Sequence, residues 1–121
     1  IPRLQLSNNL ITSHLSKNKK VVTDYESDIL VHDKITLNLF SEILTTIEDV
    51  LKRSSRIKVQ TFIYHGKNDK IVPISGCNEI SKLENVTFIE IENSKHEILN
   101  QDTRPFVLSE IFSWLQQNNL V

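Results

Sequence analysis

Two polar loops in the second half of the chain carry side chains suited to acid–base chemistry. The first loop, HGKND, contains Asp69, and the second, ENSKHE, contains His96, which lies 27 positions later. A carboxylate that accepts a hydrogen bond from one imidazole nitrogen fixes the tautomer of the ring, so that the other nitrogen can take a proton from a nucleophile. If the fold brings the loops together, the pair supplies two thirds of a Ser-His-Asp triad.

The segments around these loops predict how the loops meet. Residues 58–65 and 86–91 are rich in β-branched and aromatic residues, which is typical of strands. Residues 74–84 and 103–117 have the apolar spacing of helices. This strand–helix–strand–helix order predicts an α/β fold in which a crossover joins two parallel strands. Parallel strands end at the same sheet edge, so the two loops are expected to lie side by side.

Each candidate residue also has an ordinary structural interpretation. Asp is common in turns, so Asp69 could serve only the corner after the strand, where Gly66 is expected to permit a tight bend. His96 could be a surface loop residue. His65, at the end of the first strand, is expected to pack there and to bind no ligand. The presence of both loops favours the catalytic interpretation for Asp69 and His96.

The first half of the chain contains one clear amphipathic helix, predicted for residues 33–53 with Asp33 as its N-cap. Residues 1–20 have weak periodicity, and residues 19–25 are expected to form one helical turn. The apolar stripe of the long helix is expected to pack against a protein core, which is the ordinary use of such a stripe. The alternative is a substrate-binding role, in an acyl channel, for four of its residues: Leu39, Phe40, Ile43 and Leu44.

The serine of such a triad is absent from the sequence in any recognisable form. Glycine occurs only at positions 66 and 76, so the G-x-S-x-G turn that exposes a nucleophilic serine cannot form. Ser75 precedes Gly76 but lacks the first glycine of that turn. The chain starts at Ile1 and contains no Met. We therefore expect a piece of a longer protein, whose missing N-terminal half carries the serine.

The composition argues against several classes of function. Lys and Arg number 14 against 15 Asp and Glu, without a long basic block, which argues against nucleic-acid binding. No apolar run approaches the ~20 residues that span a bilayer. His14 and His32 lack the spacing of metal ligands, so no metal is expected, and a Ser-His-Asp triad needs no other cofactor. The single cysteine, Cys77, cannot form an internal disulfide, which favours a cytoplasmic location.

Four stretches of sequence, taken together, carry a resemblance to a known family. They are YESDILVHDKIT (25–36), FIYHGKNDKIVP (62–73), SKHEILNQ (94–101) and IFSWLQQ (111–117). The chain resembles the monoacylglycerol lipase and lysophospholipase group of α/β-hydrolases, the serine aminopeptidase S33-like family. The second and third stretches resemble the loops that bear the acid and the histidine, and the others resemble a cap segment and the closing helix. Ile29 departs from the pattern, because the family usually has Pro there.

The resemblance implies a fold, a site and an activity. The chain would be the C-terminal part of an α/β-hydrolase, with residues 1–55 as a helical cap or lid and residues 56–121 as part of the core. Asp69 would be the triad acid and His96 the general base. The implied activity of the whole protein is hydrolysis of carboxylic esters of lipids, namely monoacylglycerol or lysophospholipid.

Two alternatives stay open. The chain could be a non-catalytic fragment or interaction module, or the whole protein could be a peptidase or another hydrolase of the same fold. As a fragment the chain is expected to be inactive. Its strand at residues 58–65 would present an unpaired edge, which invites a strand-edge or domain-swapped oligomer. A lipid substrate also leaves peripheral membrane contact open.

Overall fold

The structure, a computed structural model, describes residues 4–121, which form four short strands and three α-helices joined by 3₁₀ turns. The strands pair into two separate two-stranded sheets. The strands are β1 (Gln5–Ser7), β2 (Lys34–Thr36), β3 (Thr61–Gly66) and β4 (Val86–Ile91). The helices are α1 (Lys19–Ser27), α2 (Leu37–Arg53) and α3 (Arg104–Gln117).

β3 and β4 form the parallel pair that positions the two polar loops. Their register pairs Thr61 with Val86 at one end and Gly66 with Ile91 at the other, so both strands end level at one edge. The predicted parallel α/β architecture is therefore confirmed. β3 begins three residues later than predicted, since Val59 is exposed and lies outside the ladder.

The connection between the two strands differs from the predicted helix at residues 74–84. Two 3₁₀ turns, Ile74–Cys77 and Ile80–Lys82, replace that helix. Their backbone bonds span three residues, as in the 3.0 Å bond from the N–H of Gly76 to the carbonyl of Pro73. Gly, Ser and Asn are poor formers of helix interiors, because they favour competing backbone conformations. The prediction of a regular helix was wrong for this reason.

A small apolar core lies between the parallel pair and α3. Its buried members are Ile91, Ile98 and Val107, and Tyr64, Ile89 and Ile111 pack against them. Trp114 of α3 also donates a hydrogen bond from Nε1 to Oγ1 of Thr87, at 3.1 Å. β4 is thus held against α3 at both ends, at Thr87 by this hydrogen bond and at Ile91 by the apolar core.

The first sheet and α1 depart from the weak helical pattern of the N-terminal residues. β1 pairs antiparallel with β2, and Asn8 donates its N–H to the carbonyl of Asp33 at 2.7 Å. Asp33 therefore lies just before β2 in this antiparallel pair and does not cap a helix. The cap of α2 is Thr36, whose Oγ1 accepts the N–H of Leu39 at 3.1 Å. α1 runs for nine residues, well beyond the single turn expected.

The apolar face of α2 is uncovered in the described part of the chain. Its large apolar side chains are between 38% and 52% exposed, and no residue of the helix is buried. The expected burial of this stripe against a core is therefore not present within residues 4–121, where these side chains stay about half exposed. None of the helices formed by these residues combines the length and apolar character needed to cross a membrane.

Candidate active site

The two loops approach each other so closely that only glycine fits at the end of β3. A Cβ added to Gly66 would lie 2.8 Å from the carbonyl oxygen of Ser94 and closer still to that of Lys95. Gly66 does not have a positive φ. The expectation that this glycine permits a tight bend is therefore replaced by another reason, which is the close approach of the second loop.

Backbone hydrogen bonds fix the two loops to one another. Lys67 donates its N–H to the carbonyl of Ile91 at 3.1 Å, and Asn68 donates to the carbonyl of Ser94 at 2.8 Å. The first loop then closes with a bond from the N–H of Asp69 to the carbonyl of Gly66 at 3.1 Å. These backbone hydrogen bonds fix the position of the Asp69 backbone independently of any contact of its side chain.

The structure brings Asp69 and His96 into direct contact. Nδ1 of His96 lies 2.9 Å from Oδ2 of Asp69. The other oxygen, Oδ1, accepts the backbone N–H groups of Ile71 at 2.7 Å and Val72 at 3.0 Å. The Asp69 side chain is only 4% exposed, whereas that of His96 is 38% exposed. Asp69 therefore acts both as a turn residue and as the partner of the histidine, with one oxygen for each.

The environment of Asp69 favours its ionised form. Burial by itself raises the pKa of the Asp69 carboxyl, but the hydrogen bonds from His96, Val72 and Ile71 outweigh burial and set that pKa below its ordinary value. An ionised carboxylate can only accept hydrogen bonds, so Nδ1 of His96 must carry the proton. The neutral ring then has its lone pair on Nε2, which is the atom a general base needs.

A second histidine lies beside the same carboxylate. Nε2 of His65 is 3.8 Å from Oδ2 of Asp69, and Nδ1 of His65 lies 3.0 Å from the carbonyl of Gly66. The carbonyl can only accept, so Nδ1 of His65 is the donor in that contact, and 3.8 Å is too long for a hydrogen bond between Nε2 of His65 and the carboxylate. The sequence indicated only packing for His65. Its place four residues before Asp69 at the end of a strand was the signal that it lies near the site.

Asp69 and His96 share the wall of a cavity of about 510 Å³. Much of the remaining wall is apolar, from Tyr64, Val72, Ile98 and Leu99. No serine, threonine or cysteine within residues 4–121 lines this cavity. The described chain therefore offers His96 no hydroxyl or thiol nucleophile of these types there.

The N-terminal segment around Leu15 is docked on the loop that carries His96. Glu97 donates its N–H to the carbonyl of Leu15 at 2.8 Å, and Leu15 is only 4% exposed. Lys95 donates from Nζ to the carbonyls of Ser13 at 2.6 Å and Ser16 at 3.1 Å. The residues on both sides of His96 are thus tied to the N-terminal segment.

Polar side chains complete this connection. Oγ of Ser16 donates to the carbonyl of Asn100 at 2.9 Å, and Ser16 is 2% exposed. Oε1 of Gln101 accepts the N–H groups of Lys17 at 3.3 Å and Lys95 at 3.2 Å. No motif in the sequence indicated this connection, because it joins residues about 80 positions apart and each of its bonds has a backbone group on at least one side.

The residues expected to bind an acyl chain lie elsewhere. None of Leu39, Phe40, Ile43 and Leu44 lines the cavity at Asp69 and His96. Phe40 lines a separate cavity of about 380 Å³, together with Leu6, Ile35 and Leu37. A role for these four side chains in binding substrate stays a prediction.

The remaining candidates for chemistry, Ser75 and Cys77, do not line the cavity of the pair. Ser75 and Cys77 lie in the first 3₁₀ turn of the connection, and burial raises the pKa of the Cys77 thiol, which disfavours a thiolate. Within residues 4–121, no three His, Cys, Asp or Glu side chains converge in a way suited to a metal ion. Asp69 and His96 are thus the pair on which a chemical function can be built.

Comparison with solved structures shows the same fold in lipases. A monoacylglycerol lipase from Paleococcus ferrophilus superimposes with a TM-score of 0.86 at 31% identity, over 94% of this chain and 46% of the lipase. A soluble variant of monoglyceride lipase from Saccharomyces cerevisiae, in complex with a substrate analogue, gives a TM-score of 0.77 at 15% identity, over 96% of this chain and 42% of the lipase. The chain thus spans less than half the length of either lipase.

Comparison of sequences gives the family. A curated relative, an uncharacterised abhydrolase domain-containing protein of Dictyostelium discoideum, is 24% identical over 97% of this chain and 13% of its own length. The family model described as serine aminopeptidase, S33, matches residues 1–103. This match covers most of the chain and includes both loops of the site. The chain therefore belongs to the serine aminopeptidase S33 family and has the fold of the C-terminal part of an α/β-hydrolase.

Proposed function

We propose that this chain supplies the acid and the general base of a serine hydrolase that cleaves carboxylic esters of lipids. The observation that carries the proposal is the 2.9 Å contact between Oδ2 of Asp69 and Nδ1 of His96 at the wall of a cavity. In this proposal Asp69 holds the ring in the tautomer with a free Nε2 and stabilises the imidazolium that forms during the reaction. The nucleophilic serine comes from outside residues 4–121.

The proposed reaction proceeds by acyl transfer in two steps. The serine oxygen attacks the carbonyl carbon of the ester while its proton moves to Nε2 of His96. The bond between the carbonyl carbon and the alcohol oxygen then breaks, and the alcohol leaves with that proton. Water attacks the acyl-serine and gives a proton to the same nitrogen. The acyl–serine bond breaks, and the serine takes the proton back as the carboxylic acid is released.

Two observations support a lipid as the substrate. The cavity wall beside the pair is largely apolar, which suits an acyl chain better than a charged peptide. The solved relative from Paleococcus ferrophilus is a monoacylglycerol lipase with 31% identity to this chain. We infer that the substrate is a monoacylglycerol or a lysophospholipid. Leu39, Phe40, Ile43 and Leu44 of α2 would extend the acyl site, with residues 1–55 as the cap above it.

A peptidase is the main competing function, because the family description names a serine aminopeptidase. The two activities use the same triad and differ in the leaving group, which is an alcohol for an ester and an amine for a peptide. The product of the complete gene should be assayed on monoacylglycerol, lysophosphatidylcholine, p-nitrophenyl esters and amino-acid anilides. Turnover of the lipid esters with little turnover of the anilides is expected. The reverse preference would replace the lipase by a peptidase.

The exposed apolar face of α2 supports a proposal about partners. A contiguous apolar helix face is ordinarily covered, and the strands of a two-stranded sheet each keep one unpaired edge. We infer that the missing N-terminal half of the hydrolase covers these surfaces. The isolated chain should then be inactive and should form strand-edge or domain-swapped oligomers. A monomer in light scattering would contradict this. A cytoplasmic location with peripheral membrane contact stays a proposal, to be checked by cell fractionation.

A further inference from the structure

A polar cavity, separate from the one at Asp69 and His96, lies where the two loops of the site meet the N-terminal segment. Its volume is about 310 Å³. It shares no lining residue with the cavity at Asp69 and His96. Three stretches of the chain contribute to its wall, namely the N-terminal segment, the loop of Asp69 and the loop of His96. The lining residues are Ser13, His14, Lys17, Asn68, Lys70, Asn93 and Lys95.

The charge of this junction cavity is entirely of one sign. Three of its lining residues are lysines, and none is an Asp or a Glu. Within residues 4–121, Lys17, Lys70 and Lys95 form no ion pair. The chain contains ten lysines, five of which form ion pairs with acidic side chains. Three of the other five line this one cavity, so their positive charges are concentrated where no carboxylate offsets them.

One of the three ammonium groups is held in place by the fold. Nζ of Lys95 donates to the carbonyls of Ser13 and Ser16, at 2.6 and 3.1 Å, which leaves one of its three N–H donors for a ligand. Since the Lys95 charge is fixed, the repulsion among the lysines cannot be relieved by moving that side chain into solvent. A bound anion would relieve the repulsion and accept the free donors.

We infer that the junction cavity is a binding site for a phosphate group, either free phosphate or the headgroup of an anionic lipid. The lining offers ammonium groups, two side-chain amides and a hydroxyl, all of which can donate to the oxygens of a tetrahedral anion. A phosphate there would bridge the N-terminal segment to the loops of Asp69 and His96. The inference is independent of the proposed hydrolase activity, because neither Asp69 nor His96 lines the junction cavity.

The binding test uses the product of the complete gene and inorganic phosphate, with ionic strength held constant by sodium chloride. Phosphate is expected to raise the thermal midpoint and to give saturable heat in calorimetry. The double substitution Lys17→Gln, Lys70→Gln should weaken binding about tenfold or more, because each change removes a positive charge and a charge-assisted hydrogen bond to the anion. Lys58→Gln, an unpaired lysine outside the cavity, is the matched control and should bind like the wild type.

Two results would rule out a phosphate site in the junction cavity. Equal phosphate binding by the double variant and the control, or no saturable binding by the wild type, overturns the site. If the double variant loses its fold, which circular dichroism reports, Lys70→Gln alone serves as the test and should weaken binding severalfold. Flotation with phosphatidylcholine vesicles, with and without phosphatidic acid, separates the two sources. Binding only to acidic vesicles, in competition with phosphate, indicates a lipid headgroup, and saturable phosphate binding without vesicle binding indicates the free ion.

Discussion

Asp69 divides its two carboxylate oxygens between two partners, with Oδ2 2.9 Å from Nδ1 of His96 and Oδ1 on the backbone N–H groups of Ile71 and Val72. The same side chain therefore forms the turn after β3 and holds the imidazole of the neighbouring loop. Because these tasks use different atoms, substitutions can separate them.

The substitution Asp69→Asn should separate the turn from catalysis. The amide oxygen of Asn can still accept the two backbone N–H groups, so the fold should persist. The amide nitrogen would then face His96 and favour the wrong tautomer, which in such triads lowers kcat about 10⁴-fold. We expect near-normal circular dichroism and a loss of ester hydrolysis of that order in the product of the complete gene. Unchanged kcat would contradict the assignment.

The lowered pKa of Asp69 predicts how stability depends on pH. A carboxyl whose pKa is lower in the folded state than its ordinary value of 3.8 contributes stability that is fully present above that value. This contribution is lost as the pH falls through the folded pKa. Urea unfolding of the wild type and Asp69→Asn from neutral pH into the acid range should show a stability difference that shrinks only below the ordinary value. A difference that grows in acid would contradict it.

The two glycines of the chain predict opposite results for the same substitution. Gly66→Ala should destabilise the fold by about 1–3 kcal/mol, because the added methyl group meets the carbonyls of Ser94 and Lys95. Gly76→Ala is the matched control, since no atom lies within 4 Å of the new Cβ. It should be neutral or stabilise by up to about 1 kcal/mol. Equal effects in urea unfolding would show that the loops can separate without cost.

The contact of Lys95 with the N-terminal segment predicts a local loosening when it is removed. Lys95→Met keeps most of the side-chain volume but leaves the carbonyls of Ser13 and Ser16 without their donor. We expect the free energy of unfolding to fall by about 1–2 kcal/mol. We also expect faster amide exchange at Glu97, whose N–H donates to the carbonyl of Leu15. Lys58→Met is the control and should change neither. Unaltered exchange at Glu97 would mean that this bond does not depend on Lys95.

The parallel strands could be predicted from the sequence because strand propensity and strand order agree for β3 and β4. The order of elements also indicated that Asp69 and His96 share one sheet edge, since this follows from topology. The reason for Gly66 could not be predicted, because it depends on the backbone of Ser94 and Lys95, far along the chain. A local pattern carries no information about such an approach.

The incorrect predictions of secondary structure have local causes. Ile74, Ile80 and Leu83 suggested a helix, but Gly76 and Asn78 between them favour 3₁₀ turns. The long helix was predicted to include residues 34–36, whereas these residues form β2, which pairs with β1. The docking of Leu15 on Glu97 uses backbone groups only, which no residue pattern reveals.

The central claim is that His96, held by Asp69, is the general base of a serine nucleophile. The most direct measurement is the rate at which a fluorophosphonate probe labels the product of the complete gene, followed by mass spectrometry of the labelled peptide. The matched control is His32→Gln, an exposed histidine outside the cavity of the pair. The proposed triad predicts a labelled serine upstream of Asp69, with labelling lost in His96→Ala and retained in the control. Labelling of His96→Ala at the wild-type rate, or no labelled serine at all, would contradict it.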